Sequence, residues 1–90
     1  MKLKDLEYRV NYLNKITKNR VEKHLPYKIN NEMVSNKGHY YISIYNGSYG
    51  LEQIVNTSGG CTDISYRGSK KEIANWLNAF IKGIETQIYK

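Results

Sequence analysis

The fold of this chain is decided by residues 40–66, YYISIYNGSYGLEQIVNTSGGCTDISY. The first six residues of this stretch are almost all β-branched or aromatic, which suits a pleated strand. Asn46-Gly47 follows directly, and Asn-Gly is the strongest short-range hairpin signal because both central turn residues need a positive φ. The stretch therefore predicts an antiparallel hairpin in which Tyr45 faces Ser48 across the turn.

This register separates the side chains of the hairpin into two faces. The apolar face holds Ile42, Ile44, Tyr49, Leu51 and Val55, and the mostly polar face holds Tyr41, Ser43, Tyr45, Gly50 and Glu52. Such a division is typical of an antiparallel sheet with one buried face, and a slip of one residue would reverse it. After a second turn cluster over residues 57–60, a short third strand is predicted at Asp63–Tyr66.

An amphipathic helix is predicted on each side of this sheet. The first runs from Met1 to about Asn19, and its apolar stripe is either a surface packed on the sheet or a dimerising seam. The last helix begins near Ser69, which has the capping-box spacing to Glu72. The expected fold class is α+β: helix, three-stranded antiparallel β-meander, helix, in a single small domain over residues 1–90, with both helices on one sheet face.

The segment between the first helix and the sheet, residues 20–38, is expected to be a loosely structured connector. Pro26 ends any extension of the helix, because the residue before proline avoids the α region. Residues 27–30 are either a short strand or an extended connection, and Asn30-Asn31 is turn-like.

Neither a catalytic centre nor a metal or cofactor site is expected. Cys61 is the single cysteine and has no base at a defined spacing, so an enzyme is not predicted. His24 and His39 lack further ligands at metal-binding spacing. No long apolar span and no apolar signal-peptide core are present, so we expect no membrane association and a cytoplasmic location.

The net charge of +6 favours anionic partners, although solvated surface lysines would give the same balance. Residues 38–66 contain no lysine or arginine, so the positive charge is expected on the predicted helices. The candidate anion, phosphate or partner-binding residues are Arg67, Ser69, Lys70 and Lys71 at the start of the last helix, with Lys4 and Arg9 on the first. The candidate protein-interface aromatics are Tyr41, Tyr45 and Tyr66.

Two family resemblances extend these expectations. The element order, closing with GSKKEIA at residues 68–74, resembles the double-stranded-RNA-binding domain, in which a lysine pair at the start of the last helix grips phosphates. Lys70 and Lys71 match that pair. The turn before the second predicted strand lacks the Gly-Pro-His type of sequence, and Trp76 and Phe80 replace the alanines of the family's last helix.

The motifs YNGSYGL, SGGCTDIS and RGSKKEI, within residues 40–84, resemble small phage and prophage proteins of low-GC Gram-positive bacteria. That resemblance implies a non-enzymatic, anti-CRISPR-like accessory protein that inhibits a host or defence protein or ribonucleoprotein in the bacterial cytoplasm. Its positive charge argues against mimicry of DNA. The alternative is a basic nucleic-acid-binding module that contacts DNA or RNA phosphates. The sequence leaves the partner's identity and the choice between monomer and dimer open.

Overall fold

The computed structural model describes residues 1–88, which contain two α-helices and five β-strands. In chain order they are α1 (Leu3–Ile16), β1 (His24–Ile29), β2 (Glu32–Ser35), β3 (Tyr40–Tyr45), β4 (Ser48–Ile54), β5 (Cys61–Asp63) and α2 (Lys70–Ile88). The α+β class and the order helix, three-stranded antiparallel meander, helix are confirmed, with a separate two-stranded sheet in addition. Residues 89–90, which the predicted domain included, lie outside the described residues.

The central hairpin has the predicted register. Tyr45 pairs with Ser48 and Ile42 with Leu51, and β4 pairs in turn with β5, so the order in the sheet is β3-β4-β5. Asn46 and Gly47 both have positive φ, at 48° and 76°. These values fit a type I′ turn, whose twist matches that of the two strands.

Both helices pack on the same face of this sheet and on each other. The buried core joins Leu6, Val10 and Leu13 of α1, Leu51 of β4, and Ile73, Ala74, Leu77 and Ile81 of α2. The helical residues of this core follow the spacing of the two apolar stripes, so the stripe of α1 packs within this chain. Neither α1 nor α2 lies on the opposite sheet face.

The first helix is shorter than predicted, because it ends at Ile16 and not near Asn19. Lys18 adopts a left-handed conformation with φ at 61°. The Asn19 N–H then donates to the Asn14 carbonyl at 2.8 Å, which closes the helix in the manner of a Schellman motif. This helix end is hard to predict from sequence, since glycine usually occupies the left-handed position and here it is lysine.

The prediction of a loosely structured connector over residues 20–38 is corrected for its central part, which forms the β1–β2 hairpin. Its turn is Asn30-Asn31, with φ at 53° and 63°. Asparagine tolerates the left-handed region, so this pair substitutes for the usual Asn-Gly. Pro26 lies where the register of the two strands shifts, a position in which proline costs no ladder hydrogen bond.

Three details of the predicted sheet also change. The third strand is Cys61–Asp63 and not Asp63–Tyr66, because Ser65 Oγ accepts the Leu51 N–H at 2.9 Å and ends regular pairing. Val55, expected on the buried face, is exposed, while the preceding Ile54 is buried at 1% exposure. Ile44 faces the apolar side as predicted but is 51% exposed and does not belong to the buried core.

Candidate functional site

The sheet face opposite the helices carries the densest polar network among residues 1–88. We call it the outer sheet face and define it by Tyr41, Ser43, Tyr45, Glu52 and Arg67. The first four come from β3 and β4, where alternation of side chains places them away from the core. Arg67 reaches this face from the segment between β5 and α2.

Glu52 is the centre of the network. Its Oε1 accepts hydrogen bonds from the Tyr41 hydroxyl at 2.8 Å and from the Cys61 thiol at 3.2 Å. Its Oε2 lies 3.4 Å from Nη1 of Arg67 in an ion pair. The carboxylate side chain is only 14% exposed, so its hydration has been largely replaced by these donors.

The protonation states in this network are set by its surroundings. Burial alone would raise the pKa of Glu52, but hydrogen bonds from Tyr41, Ser43 and Cys61 and the charge of Arg67 outweigh it and hold that pKa below the ordinary carboxyl value. Burial, followed by hydrogen bonds with Cys61 and Glu52, raises the pKa of Tyr41 well above its ordinary value. At neutral pH the carboxylate is therefore a fixed acceptor and the phenol a fixed donor.

Arg67 is held against the sheet by several hydrogen bonds. Its Nε donates to Ser48 Oγ at 3.1 Å, and its Nη2 donates to the carbonyls of Ser43 at 3.1 Å and Ser48 at 3.2 Å. The guanidinium lies over Gly50, where a Cβ atom would be 3.2 Å from Nη1, so the missing side chain gives it room. Arg67 is thus a structural clamp across β3 and β4.

The three tyrosines predicted as interface residues differ in exposure. Tyr45 is 68% exposed at the turn end of the outer sheet face, and Tyr66 is 55% exposed. Tyr41 is half-buried, with Nζ of Lys23 at 4.3 Å from its ring centroid and the His39 ring stacked beside it. Lys23 therefore adds a cation–π contact to the hydrogen-bonded phenol.

The predicted anion-binding residues do not converge into one site. Ser69 and Glu72 form the expected capping box: the Ser69 N–H donates to Glu72 Oε1 at 3.0 Å, and the Glu72 N–H donates to Ser69 Oγ at 3.1 Å. A carboxylate thus already occupies the start of α2, where a phosphate would bind. Nζ of Lys70 lies 5.7 Å from the Tyr49 ring on the apolar side of the sheet, opposite the side that holds Arg67.

The cations predicted on α1 also have different environments. Arg9 is tied to α2, because its Nε donates to Asn78 Oδ1 at 3.0 Å. Lys4 and Lys71 are exposed. Arg9 contacts Asn78, and the later residue Tyr12 contacts the later residue Glu85, so α1 and α2 run in the same direction. Lys4 and Lys71 therefore both lie toward the N-terminal end of the helix pair.

Two features of the described chain were missed by the sequence reasoning. Asn14 is fully buried on the apolar stripe of α1 and hydrogen-bonds both backbone groups of Tyr40. An asparagine within an otherwise apolar stripe was the available signal. His39, expected to be a surface or partly packed side chain, is only 6% exposed, and its Nδ1 donates to the Arg20 carbonyl at 2.9 Å.

Within residues 1–88, no cluster of three or more His, Cys, Asp or Glu side chains has the arrangement of a metal site. In the same part of the chain, neither helix combines the length and the apolar character that crossing a bilayer requires. No family model, no curated protein and no solved structure matches this chain.

Proposed function

We propose that this protein is a non-enzymatic binding protein that uses the outer sheet face to inhibit a protein or ribonucleoprotein of its bacterial host. The observation that carries the proposal is the combination of an ordered, internally neutralised Tyr41–Glu52–Arg67 network with the exposed ring of Tyr45, on a face that neither α1 nor α2 covers. Tyrosine and arginine, with tryptophan, are enriched among the residues that contribute most to protein-interface affinity.

Preorganisation supports a protein partner for this face. The side chains of Tyr41 and Arg67 are already fixed by hydrogen bonds, so binding would immobilise few further rotamers. The Arg67 charge is balanced by Glu52, which suits the desolvated centre of a protein interface better than the capture of a phosphate. The resemblance to phage proteins supplies the biological context: a counter-defence, anti-CRISPR-like role in the bacterial cytoplasm.

The test compares two tyrosine-to-alanine variants that lie on different surfaces of the protein. Purified wild-type protein captures its partner from lysates of low-GC Gram-positive bacteria, and Tyr45→Ala is expected to reduce the recovered partner at least about tenfold, as loss of a central interface residue does. Tyr8→Ala is the matched control, because Tyr8 is 78% exposed on α1, which packs on the opposite face of the sheet. Equal recovery with both variants would refute the use of the outer sheet face.

A second assay addresses inhibition directly. Expression of the protein in a strain that carries an active CRISPR system should raise the plating efficiency of a targeted phage, and Tyr45→Ala should abolish the increase. An unchanged plating efficiency, with the protein expressed and folded, would refute the CRISPR-directed form of the proposal. Partner capture would then show whether another host protein is the target.

Nucleic-acid binding is the second candidate, and one observation favours it. Lys4 and Lys71 are exposed toward the same end of the helix pair, as cations that contact successive phosphates would be. A low-salt mobility-shift assay with DNA and with RNA tests this function. Binding should weaken in Lys4→Ala/Lys71→Ala but not in the control Lys82→Ala, and no shift with either nucleic acid would eliminate it.

A further inference from the structure

The free edge of β3 offers a second kind of recognition, through the backbone. β3 is the outermost strand of its sheet. The His39 carbonyl accepts the Ile54 N–H at 2.9 Å, and Tyr45 pairs with Ser48 beside a two-residue turn, so these residues direct their backbone groups toward β4. Alternation then directs the N–H and C=O groups of Tyr40, Ile42 and Ile44 away from β4.

Among the described residues, a hydrogen-bond partner is present only for the outward backbone groups of Tyr40. The Tyr40 N–H donates to Asn14 Oδ1 at 2.8 Å, and its carbonyl accepts from Asn14 Nδ2 at 3.0 Å. Within residues 1–88, no hydrogen bond reaches the outward groups of Ile42 or Ile44. Edge strands are usually protected by lysine, proline or a bulge, and β3 has none of these.

A groove of about 350 Å³ runs beside this edge, within the size range of ligand sites. Leu3, Glu7 and Val10 of α1 line one wall. Val21 and Lys23 contribute to the groove as well, and Lys23 lies on the side of the outer sheet face because its Nζ covers the Tyr41 ring. We call this space the edge groove.

We propose that the edge groove binds an extended segment of the partner protein, which adds to β3 as a further antiparallel strand. The proposal rests on the protein-binding function above and specifies the chemistry of the partner. Alternate residues of such a strand point to opposite walls. Apolar residues would pack against Leu3 and the exposed side chain of Ile44, while acidic residues would meet Lys23.

The charges of the edge groove determine which wall the acidic residues of the bound segment face. Glu7 lies on the α1 wall and disfavours acidic residues there, whereas Lys23 attracts them on the other wall. The preferred segment therefore alternates apolar and acidic residues over the length opposite Ile42 and Ile44. Two main-chain residue pairs would hold it in register.

The first experiment selects peptides from a random heptapeptide display library on the purified full chain. The selected peptides should alternate apolar and acidic residues. Amide hydrogen exchange by NMR should show that a selected peptide slows exchange of the Ile42 and Ile44 N–H groups, which should exchange rapidly without it. The proposal is overturned if no peptide is selected, or if the selected peptides leave these two amides unprotected.

Two changes separate main-chain pairing from side-chain contact. Ile44→Pro removes one outward N–H and keeps the ladder with β4, a position at which an edge strand tolerates proline; Ile44→Val is the matched control that keeps the N–H. Peptide affinity should fall about tenfold in Ile44→Pro and remain near wild type in Ile44→Val. N-methylation of the peptide at its pairing positions should cause a similar loss on the unaltered protein, even if Ile44→Pro does not fold.

The remaining outcomes distinguish this proposal from the proposed function. Lys23→Glu should reverse the preference for acidic peptides, and an unchanged preference contradicts the assigned chemistry. Concentration-dependent protection of the Ile44 amide in the protein alone would mean that a second copy covers the edge, and would overturn the proposal. Partner capture that depends on Tyr45 but survives Ile44→Pro would refute strand addition and leave the outer sheet face as the binding surface.

Discussion

Asn14→Ala gives the sharpest test of how the helices hold the sheet. Asn14 is fully buried between α1 and the start of β3, and its amide makes two hydrogen bonds to the backbone of Tyr40. The Asn14 amide thus pairs with the N–H and C=O of Tyr40, as a backbone residue of a neighbouring strand would. Its Nδ2 lies 3.4 Å from Nδ1 of His39, which already donates to Arg20, so that contact adds little.

The expected loss follows from these two bonds. Each contributes about 1 kcal/mol net, and a partly buried backbone group left without a partner costs about 1–3 kcal/mol more. Water can reach part of the Tyr40 edge, so we expect a total of about 3 kcal/mol. The free energy of unfolding of a small domain is about 5–15 kcal/mol. The variant should therefore remain folded, with a melting temperature lower by about 12–24 °C.

Chemical denaturation of Asn14→Ala and of the control Asn11→Ala isolates this effect. Asn11 is exposed on the same helix, so the gain in helix propensity on replacing asparagine by alanine, about 0.6 kcal/mol, is common to both variants. The difference between the two variants should be about 3 kcal/mol. A difference below about 1 kcal/mol would show that water replaces the amide and that Asn14 does not anchor β3.

Two further predictions concern the sheet itself. Glu52→Gln should make the free energy of unfolding less dependent on pH in the acidic range. The depressed pKa of Glu52 contributes stability that is complete above the ordinary carboxyl value of 4.5 and is lost as the pH falls through the folded-state pKa. Melting temperatures from pH 7 to pH 3 measure this, and parallel profiles for both proteins would contradict it. Gly47→Ala should cost about 1 kcal/mol in urea denaturation, because its φ of 76° is strained for alanine while a Cβ there has nothing within 4 Å. A much larger loss would imply a contact that the structure does not contain.

Several elements could be predicted from sequence because their causes are local. Asn46-Gly47 determines the turn through its backbone conformation, and the turn determines the register of the whole β3–β4 hairpin. Ser69 and Glu72 satisfy each other's N–H groups within one helical turn. In such cases the interacting groups are at most a few residues apart, so the sequence contains both partners side by side.

The candidate site depended instead on contacts between distant parts of the chain. Arg67 was grouped with Lys70 and Lys71 because they are neighbours in sequence, yet its guanidinium lies on the outer sheet face, 24 residues from its acceptor Ser43. The Arg67–Glu52 ion pair likewise required knowledge of how the segment after β5 crosses the sheet. Proximity in the sequence was therefore a poor guide to which cations act together.

The α+β class, the register of the central hairpin and the faces of both helices could be predicted, since each follows from periodicity or turn chemistry within a short window. Which side chains are available for binding depends instead on the tertiary structure. The packing of α1 places Asn14 against one end of β3 and leaves Ile42 and Ile44 without main-chain partners. The physical reason is that a strand's hydrogen-bonding edge is satisfied or left free by its neighbours in space, which a one-dimensional pattern does not specify.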